Sequence, residues 1–148
     1  MIVLLHVFGT PTTKGSHRAL LVRGRPIVVP MMSADLKRWH KAVAGAALAV
    51  VAPDARPLFV DLALAVSLEF RLERPKSRAR AAWAETARGD IDKLVRATLD
   101  PMQEIVFDND TRIVELTASK LYADAEHPIG AYIQVRPLEA AQAALALG

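Results

Sequence analysis

The sequence predicts an α+β fold, in which a mixed β-sheet of about four to five strands carries a long helix and a short helix. Three observations lead to this prediction. Residues 58–70 alternate between apolar and other side chains with the period of two that is typical of a strand. Apolar residues recur at helical spacing after Ser33 and again after Asp92. A length of 148 residues is that of one domain with a real core, so we take residues 1–148 as a single domain.

The N-terminal part of the chain is predicted to form a strand and then a basic loop. Residues 2–8 are apolar on both faces, which is typical of a central strand that is covered on both sides. Residues 9–30 are rich in Gly, Pro and Arg, and within them segments 19–22 and 27–29 predict a small hairpin.

The middle of the chain is predicted to contain both helices. Ser33 is the expected N-cap of a long helix that extends to about residue 52. Residues 58–70 then predict a long, half-buried strand, and residues 71–89 a mobile basic loop. The short helix covers about residues 92–103.

The last part of the chain predicts two more strands, at residues 113–122 and 131–136, joined by a turn. The Ala-rich residues 138–148 predict a terminal helix or tail.

The short helix has two distinct faces. At about 100° per residue, Asp92 and Arg96 lie on a polar side, one helical turn apart. The opposite side is expected to be buried against the sheet and consists of Leu94, Val95, Thr98, Leu99 and Met102.

Two acidic couplets flank this helix, Asp90 with Asp92 and Asp108 with Asp110. Clustered carboxylates repel one another unless a cation holds them together, and sites made of oxygen ligands suit Mg²⁺. A short connection from the helix to the next strand would bring Asp110 back beside Asp90 and Asp92. In a basic protein, such a magnesium site predicts a nuclease that acts on phosphodiesters.

Ordinary structural roles are the alternative explanation for the same residues. Aspartates at a helix start commonly act as caps, and Asp108 and Asp110 lie in a predicted turn, where Asp is frequent. Asp92 and Arg96 are also spaced to form a surface ion pair. A calcium-binding EF-hand is excluded, because the required Gly is missing after Asp110.

Composition limits the other possibilities. A net charge of +3 favours a polyanionic partner. The absence of cysteine excludes disulfides and thiol nucleophiles, and agrees with a cytoplasmic location. The N-terminus lacks the charged leader of a signal peptide, and the apolar run at 43–52 is too short to span a bilayer, so no membrane association is expected.

Two runs of residues resemble the RusA family of Holliday-junction resolvases. The first is Arg-Gly-Asp-Ile-Asp-Lys-Leu-Val-Arg-Ala-Thr-Leu-Asp at 88–100, and the second is Phe-Asp-Asn-Asp-Thr-Arg-Ile-Val at 107–114. The family pattern is an Asp-x-Asp that opens a helix, a basic residue four positions on, a Leu-Asp, and an Asp before the next strand. The strand that leads into a Gly/Pro/Lys/Arg loop is similar as well, so the resemblance covers about residues 2–136.

The resemblance implies a homodimeric endonuclease that cuts branched DNA, notably four-way junctions, by paired nicks. It also implies dependence on Mg²⁺, with Mn²⁺ as an alternative ion. Asp90, Asp92 and Asp110 match the acidic metal-binding positions of the family. Arg96 stands where the family often has a catalytic Lys, and Arg is too basic to relay a proton.

Two further departures concern neighbouring positions. Asn109 stands where the family frequently has Asp, which leaves Asp108 as an additional candidate ligand. Lys93 replaces a frequent Asn, and with Arg96 it is expected to steady the phosphate oxygens. The expected DNA contacts comprise Lys14, Arg18, Arg23, Arg25, Arg74, Lys76, Arg78, Arg80 and Lys93.

Two other functions agree with the same residues. A non-catalytic DNA-binding module would use the basic loops alone, and a related nuclease would use the metal site on flaps or RNA.

Overall fold

A computed structural model of the protein describes residues 1–13, 17–30, 33–85, 87 and 89–139, with the backbone alone for 17–19 and 28–30. The predicted helix or tail at 138–148 lies, from residue 140 on, outside these residues. Lys14 and the side chain of Arg18 also lie outside them.

The predicted α+β class is confirmed. The sheet has four strands in the order β1-β6-β4-β5, and β2 and β3 form a separate hairpin. None of the helices in the described ranges is long and apolar enough to cross a membrane. The elements are β1 (Val3–Phe8), β2 (His17–Val22), β3 (Arg25–Pro30), α1 (Ala34–Val50), β4 (Leu64–Leu72), α2 (Ile91–Leu99), β5 (Ile113–Tyr122) and β6 (Gly130–Pro137). Short 3₁₀ turns lie at Pro53–Ala55, Lys76–Arg78, Asp100–Met102 and Asp110–Arg112.

Three of the four strands run in the same direction. β6 is antiparallel to both β1 and β4, and β4 is parallel to β5. We call the end of the sheet where β1, β4 and β5 finish, at Phe8, Leu72 and Tyr122, the carboxyl end. The opposite end, where Leu64 pairs with Ile113, is the amino end.

Both helices pack on one face of the sheet. The predicted inward row of β4 is confirmed, and so is the buried face of α2. Between the helices, the indole N–H of Trp39 donates to the hydroxyl of Thr98 over 3.1 Å, so neither buried polar group lacks a partner. Ser33 caps α1 as predicted, since its hydroxyl accepts from the Leu36 N–H at 3.1 Å.

The prediction of a central position for the first strand is wrong. β1 lies at the edge of the sheet, because β6 is its only neighbour there. Leu4 and Phe8 are accordingly 66% and 64% exposed. An apolar run reports that a strand is hydrophobic, but the number of its neighbours is set by topology.

Two predicted boundaries also differ from the structure. β4 begins at Leu64 rather than residue 58, because Leu58 and Phe59 instead donate their N–H groups to the carbonyls of Ile105 and Val106. Helix α2 ends at Leu99 and tightens into a 3₁₀ turn, since Pro101 has no N–H to continue it.

The segment predicted as a basic loop at 71–89 is partly regular. Its first two residues complete β4, where Arg71 is buried and Leu72 ends the strand. Further on, Trp83 forms an isolated antiparallel bridge with Leu121. The segment is therefore attached to the outer side of β5 near the carboxyl end.

Candidate functional site

The first acidic couplet lies at the carboxyl end of the sheet, where α2 begins. Gly89, directly before it, has a φ of +108°. A Cβ at Gly89 would lie 2.9 Å from the Cγ2 of Thr13, so the loop that follows β1 packs tightly on this residue. Glycine is therefore required here both by the backbone conformation and by the close approach. The same contact brings residues 9–13 to the start of α2.

Asp90 and Asp92 have exposed side chains at this position. Asp90 occupies the N-cap position, but its carboxylate accepts no capping hydrogen bond. It instead lies 3.5 Å from the ammonium of Lys93. The cap role considered for Asp90 is therefore not realised, and its oxygens remain open to solvent or to a cation.

Arg96 lies one turn further along α2 and is also exposed. Among the described residues, no ion pair joins it to Asp92, although the spacing would allow one. The guanidinium of Arg96 therefore extends from the helix without a fixed partner in this part of the chain.

Lys120 was not anticipated as a site residue. It projects from β5 towards the segment that precedes α2, where its ammonium donates to the carbonyls of Gly89 at 2.9 Å and Ala87 at 3.3 Å. These charge-assisted bonds fasten the start of α2 to the sheet. The sequence signal is a lysine in the otherwise apolar inward row of β5, next to Ala118.

The second acidic couplet lies at the amino end of the sheet, just before β5. Asp108 is bound to Arg112, with 3.1 Å between its Oδ2 and Nη2, and it accepts a hydrogen bond from the Asp61 N–H at 3.4 Å. The hydrogen bond from Arg112 lowers the pKa of the Asp108 carboxyl from its ordinary value. Asp108 therefore holds the turn together, and Asp110 projects next to it with an exposed side chain.

Asn109 completes this turn. Its side-chain oxygen accepts from the N–H of Thr111 at 2.9 Å, which is the turn role that the sequence suggested for this couplet. An aspartate here, as in many family members, would make the same bond.

The two couplets do not meet within one chain. At about 3.3 Å per residue, β4 separates the amino end from the carboxyl end by roughly 26 Å. In the described parts of the chain, no group of three or more His, Cys, Asp or Glu side chains is close enough to hold a metal ion. The expectation that Asp110 returns beside Asp90 and Asp92 in the same chain is therefore wrong, because α2 runs away from the end at which it starts.

The basic residues of the predicted DNA surface divide into two groups. Arg74 is tied into its own loop, where its guanidinium donates to the carbonyls of Arg78, Ala81 and Ala123. Arg78 also pairs with Glu85 at 3.0 Å. The remaining ones have exposed side chains and comprise Arg23, Arg25, Lys76 and Arg80.

A cleft at the carboxyl end connects these features. It is lined by the loop at 10–13, by residues 72–75 and by Gly89. The start of α2 therefore borders an open surface, with basic residues on the adjoining loop.

Comparison with known proteins gives one family. A protein-family model described as endodeoxyribonuclease RusA matches residues 9–136. No curated protein matches the chain. The matched region extends from the loop after β1 to β6, and so contains both acidic couplets, Arg96 and Lys120.

Proposed function

The chain belongs to the endodeoxyribonuclease RusA family, and from that premise we propose that it resolves four-way DNA junctions by Mg²⁺-dependent hydrolysis, as a homodimer. Membership confirms the predicted family and makes the chain a member of a DNA-cutting family that acts on branched junctions. The metal ion, its ligands and the dimer are parts of the proposal.

One observation carries the proposed arrangement of the site. Asp90 and Asp92 lie at the carboxyl end of the sheet and Asp110 at the amino end, and all three are exposed. A second copy of the chain can supply what each end lacks. We therefore propose that each metal site combines Asp90 and Asp92 of one protomer with Asp110 of the partner subunit.

The chemistry of these side chains fits a hard divalent cation. All donors are carboxylate oxygens, and Asp90 has no capping bond that would compete for its lone pairs. Asp108 is assigned a different role from that considered on sequence grounds. Because Arg112 already holds its carboxylate, Asp108 supports the turn that carries Asp110 rather than acting as a ligand.

Bound Mg²⁺ would supply an activated water at neutral pH and neutralise charge on the leaving oxygen. The protein's own cations have complementary tasks. Arg96, exposed one turn beyond Asp92, binds the non-bridging oxygens of the scissile phosphate through a charge that it cannot lose. Lys93 balances the charge of Asp90 and adds a second cation to the same surface.

DNA contacts are assigned to the exposed basic residues near the cleft, chiefly Lys76 and Arg80. Such contacts to phosphates position the duplex without reading its bases, so the affinity should fall steeply with salt. Junction selection then depends on DNA shape. Arg74 is assigned to the structure of its loop, because its hydrogen bonds are used on backbone carbonyls.

The test is nicking of a labelled synthetic four-way junction with and without Mg²⁺. The wild type should nick opposite strands only when Mg²⁺ or Mn²⁺ is present. Asp92→Asn should lower cleavage by at least about 100-fold while junction binding persists, because a metal ligand is lost and a charge that repels DNA is removed. Asp54→Asn, an exposed substitution in a 3₁₀ turn, is the matched control and should cleave normally.

Two outcomes would contradict the proposal. Cleavage by Asp92→Asn at the wild-type rate would remove this residue from the site. Tight junction binding with no cleavage in either ion would identify the chain as a DNA-binding module, and preference for flaps or RNA in competition would change the substrate.

A further inference from the structure

β5 is an outer strand of the sheet, and most of its outer side has no backbone partner in the described ranges. The exception is at its end, where the Ala84 N–H donates to the Lys120 carbonyl at 3.1 Å and the Tyr122 N–H to the Ala82 carbonyl at 3.0 Å. Residues 82–84 therefore cover only the last part of the strand. The outer side of residues 113–119 is open, and an open strand edge is a template for pairing with another chain.

Apolar side chains accompany this open edge. Val114 and Leu116 are 65% and 47% exposed, and residues 114–117 are all exposed. At the far end of the open stretch, Trp83 is 63% exposed. Exposed aromatic and aliphatic side chains in one row are typical of the central part of a protein–protein interface.

We propose that a second copy of this chain pairs antiparallel with the open edge of β5, with the two-fold axis at Leu116. The proposal rests on the homodimeric nuclease proposed above, and it names the surface through which that dimer forms. An edge that pairs with its own copy is self-complementary, as a two-fold interface requires.

The hydrogen-bonding pattern sets the register. In an antiparallel pair, the N–H and C=O of one residue point to the same side, and alternate residues repeat this direction. Lys120 and Tyr122 point outwards to residues 82–84, so Ala118 and Leu116 also point outwards. The irregularity in β5 lies ahead of Glu115 and does not disturb this alternation.

The length of the open stretch sets the centre. Residues 82–84 prevent a partner strand from extending past Lys120. Antiparallel pairing that fills residues 113–119 therefore places Leu116 opposite Leu116 of the partner subunit. In such a hydrogen-bonded pair, the two Cα atoms are about 5.5 Å apart.

This register has a direct consequence for the metal site. The turn at Asp110–Arg112 precedes Ile113, which would lie near Ser119 of the partner subunit. Asp110 then arrives beside the partner's Lys120, the residue that holds the carbonyl of Gly89 ahead of Asp90. Pairing through β5 thus joins the amino end of one sheet to the carboxyl end of the other, as the divided site requires.

The first test is the oligomeric state of the full chain by analytical ultracentrifugation. The wild type should be a dimer at micromolar concentration. Leu116→Lys should weaken dimerisation by at least about 100-fold, because two ammonium groups would face each other at the axis. Leu48→Lys is the matched control: Leu48 is 42% exposed on α1 and lies away from β5. Circular dichroism should show both variants folded.

The second test checks the register. The chain has no cysteine, so Leu116→Cys introduces a single thiol. Because the Cα separation expected at the axis is within disulfide range, mild oxidation should link two chains. Leu48→Cys should stay unlinked under the same conditions.

Three results would overturn the inference: a monomeric wild type, a Leu116→Lys variant that dimerises as tightly as the control, or a Leu116→Cys variant that does not link. None of these measurements uses DNA or metal. A dimer linked through Leu116→Cys that never nicks a junction would therefore refute the proposed function and leave the interface intact. Junction nicking by a protein that dimerises independently of Leu116 would refute the interface alone.

Discussion

A divided metal site predicts that two inactive variants restore each other. Asp92→Asn removes a ligand at the carboxyl end, and Asp110→Asn removes one at the amino end. In a mixed dimer of the two, one site carries both substitutions and the other site carries neither. Nicking should therefore return when the variants are co-expressed, although each is inactive alone.

The structure determines the size of this effect. Ligands of one Mg²⁺ lie about 2.1 Å from the ion, so their oxygens cannot be separated by the roughly 26 Å length of β4. Only sites formed between chains can be intact. Random pairing makes about half of the dimers mixed, and each of these has one intact site, so nicking should recover to about one quarter of the wild-type rate.

The assay is nicking of a labelled four-way junction by doubly tagged, co-purified mixed dimers. Because each mixed dimer has a single working site, products should be nicked junctions rather than paired cuts. Asp90→Asn with Asp92→Asn is the matched control and should show no recovery, since both substitutions lie at the same end and damage one site each. Recovery in this control, or none with Asp110→Asn, would refute the divided site.

Three further predictions concern single residues. Gly89→Ala should lower the free energy of unfolding by about 1–3 kcal/mol in chemical denaturation, because alanine is strained at this φ and meets Thr13; Gly45→Ala, in open space within α1, should leave stability equal or higher, and equal losses would contradict the contact. Arg112→Gln should raise the pKa of Asp108 towards its ordinary 3.8. Since a depressed pKa stabilises the fold above the unfolded value and is lost as the pH falls through the folded value, thermal unfolding of the variant should depend less on pH below about 4; identical profiles would count against the pair. Lys120→Met should raise the Mg²⁺ concentration for half-maximal nicking by about tenfold with the fold intact, whereas Lys120→Arg should be close to wild type; an unchanged Mg²⁺ requirement would limit Lys120 to a structural role.

Local pattern was sufficient for the parts of the fold that depend on local physics. The alternation in β4 identified the buried row from Leu64 to Phe70, and the spacing in α2 identified its buried face. Ser33 was recognised as a cap because a hydroxyl at that position satisfies an otherwise unpaired N–H. The motif from Asp90 to Val114 was sufficient for the family.

Strand neighbours could not be predicted in the same way. Residues 2–8 have the composition of a central strand, yet β1 lies at the edge, because hydrophobicity does not report how many strands pair with it. Lys120 was missed since its partners are backbone carbonyls, which every residue has and no sequence pattern marks.

The sequence by itself determined the α+β class, the family and the residue types available for chemistry, since these depend on composition, period and order along the chain. Only the tertiary structure decided where the acidic residues lie. Because β4 and β5 are parallel, the chain must return along α2 to the amino end before β5 begins, and this return carries Asp110 away from Asp90 and Asp92.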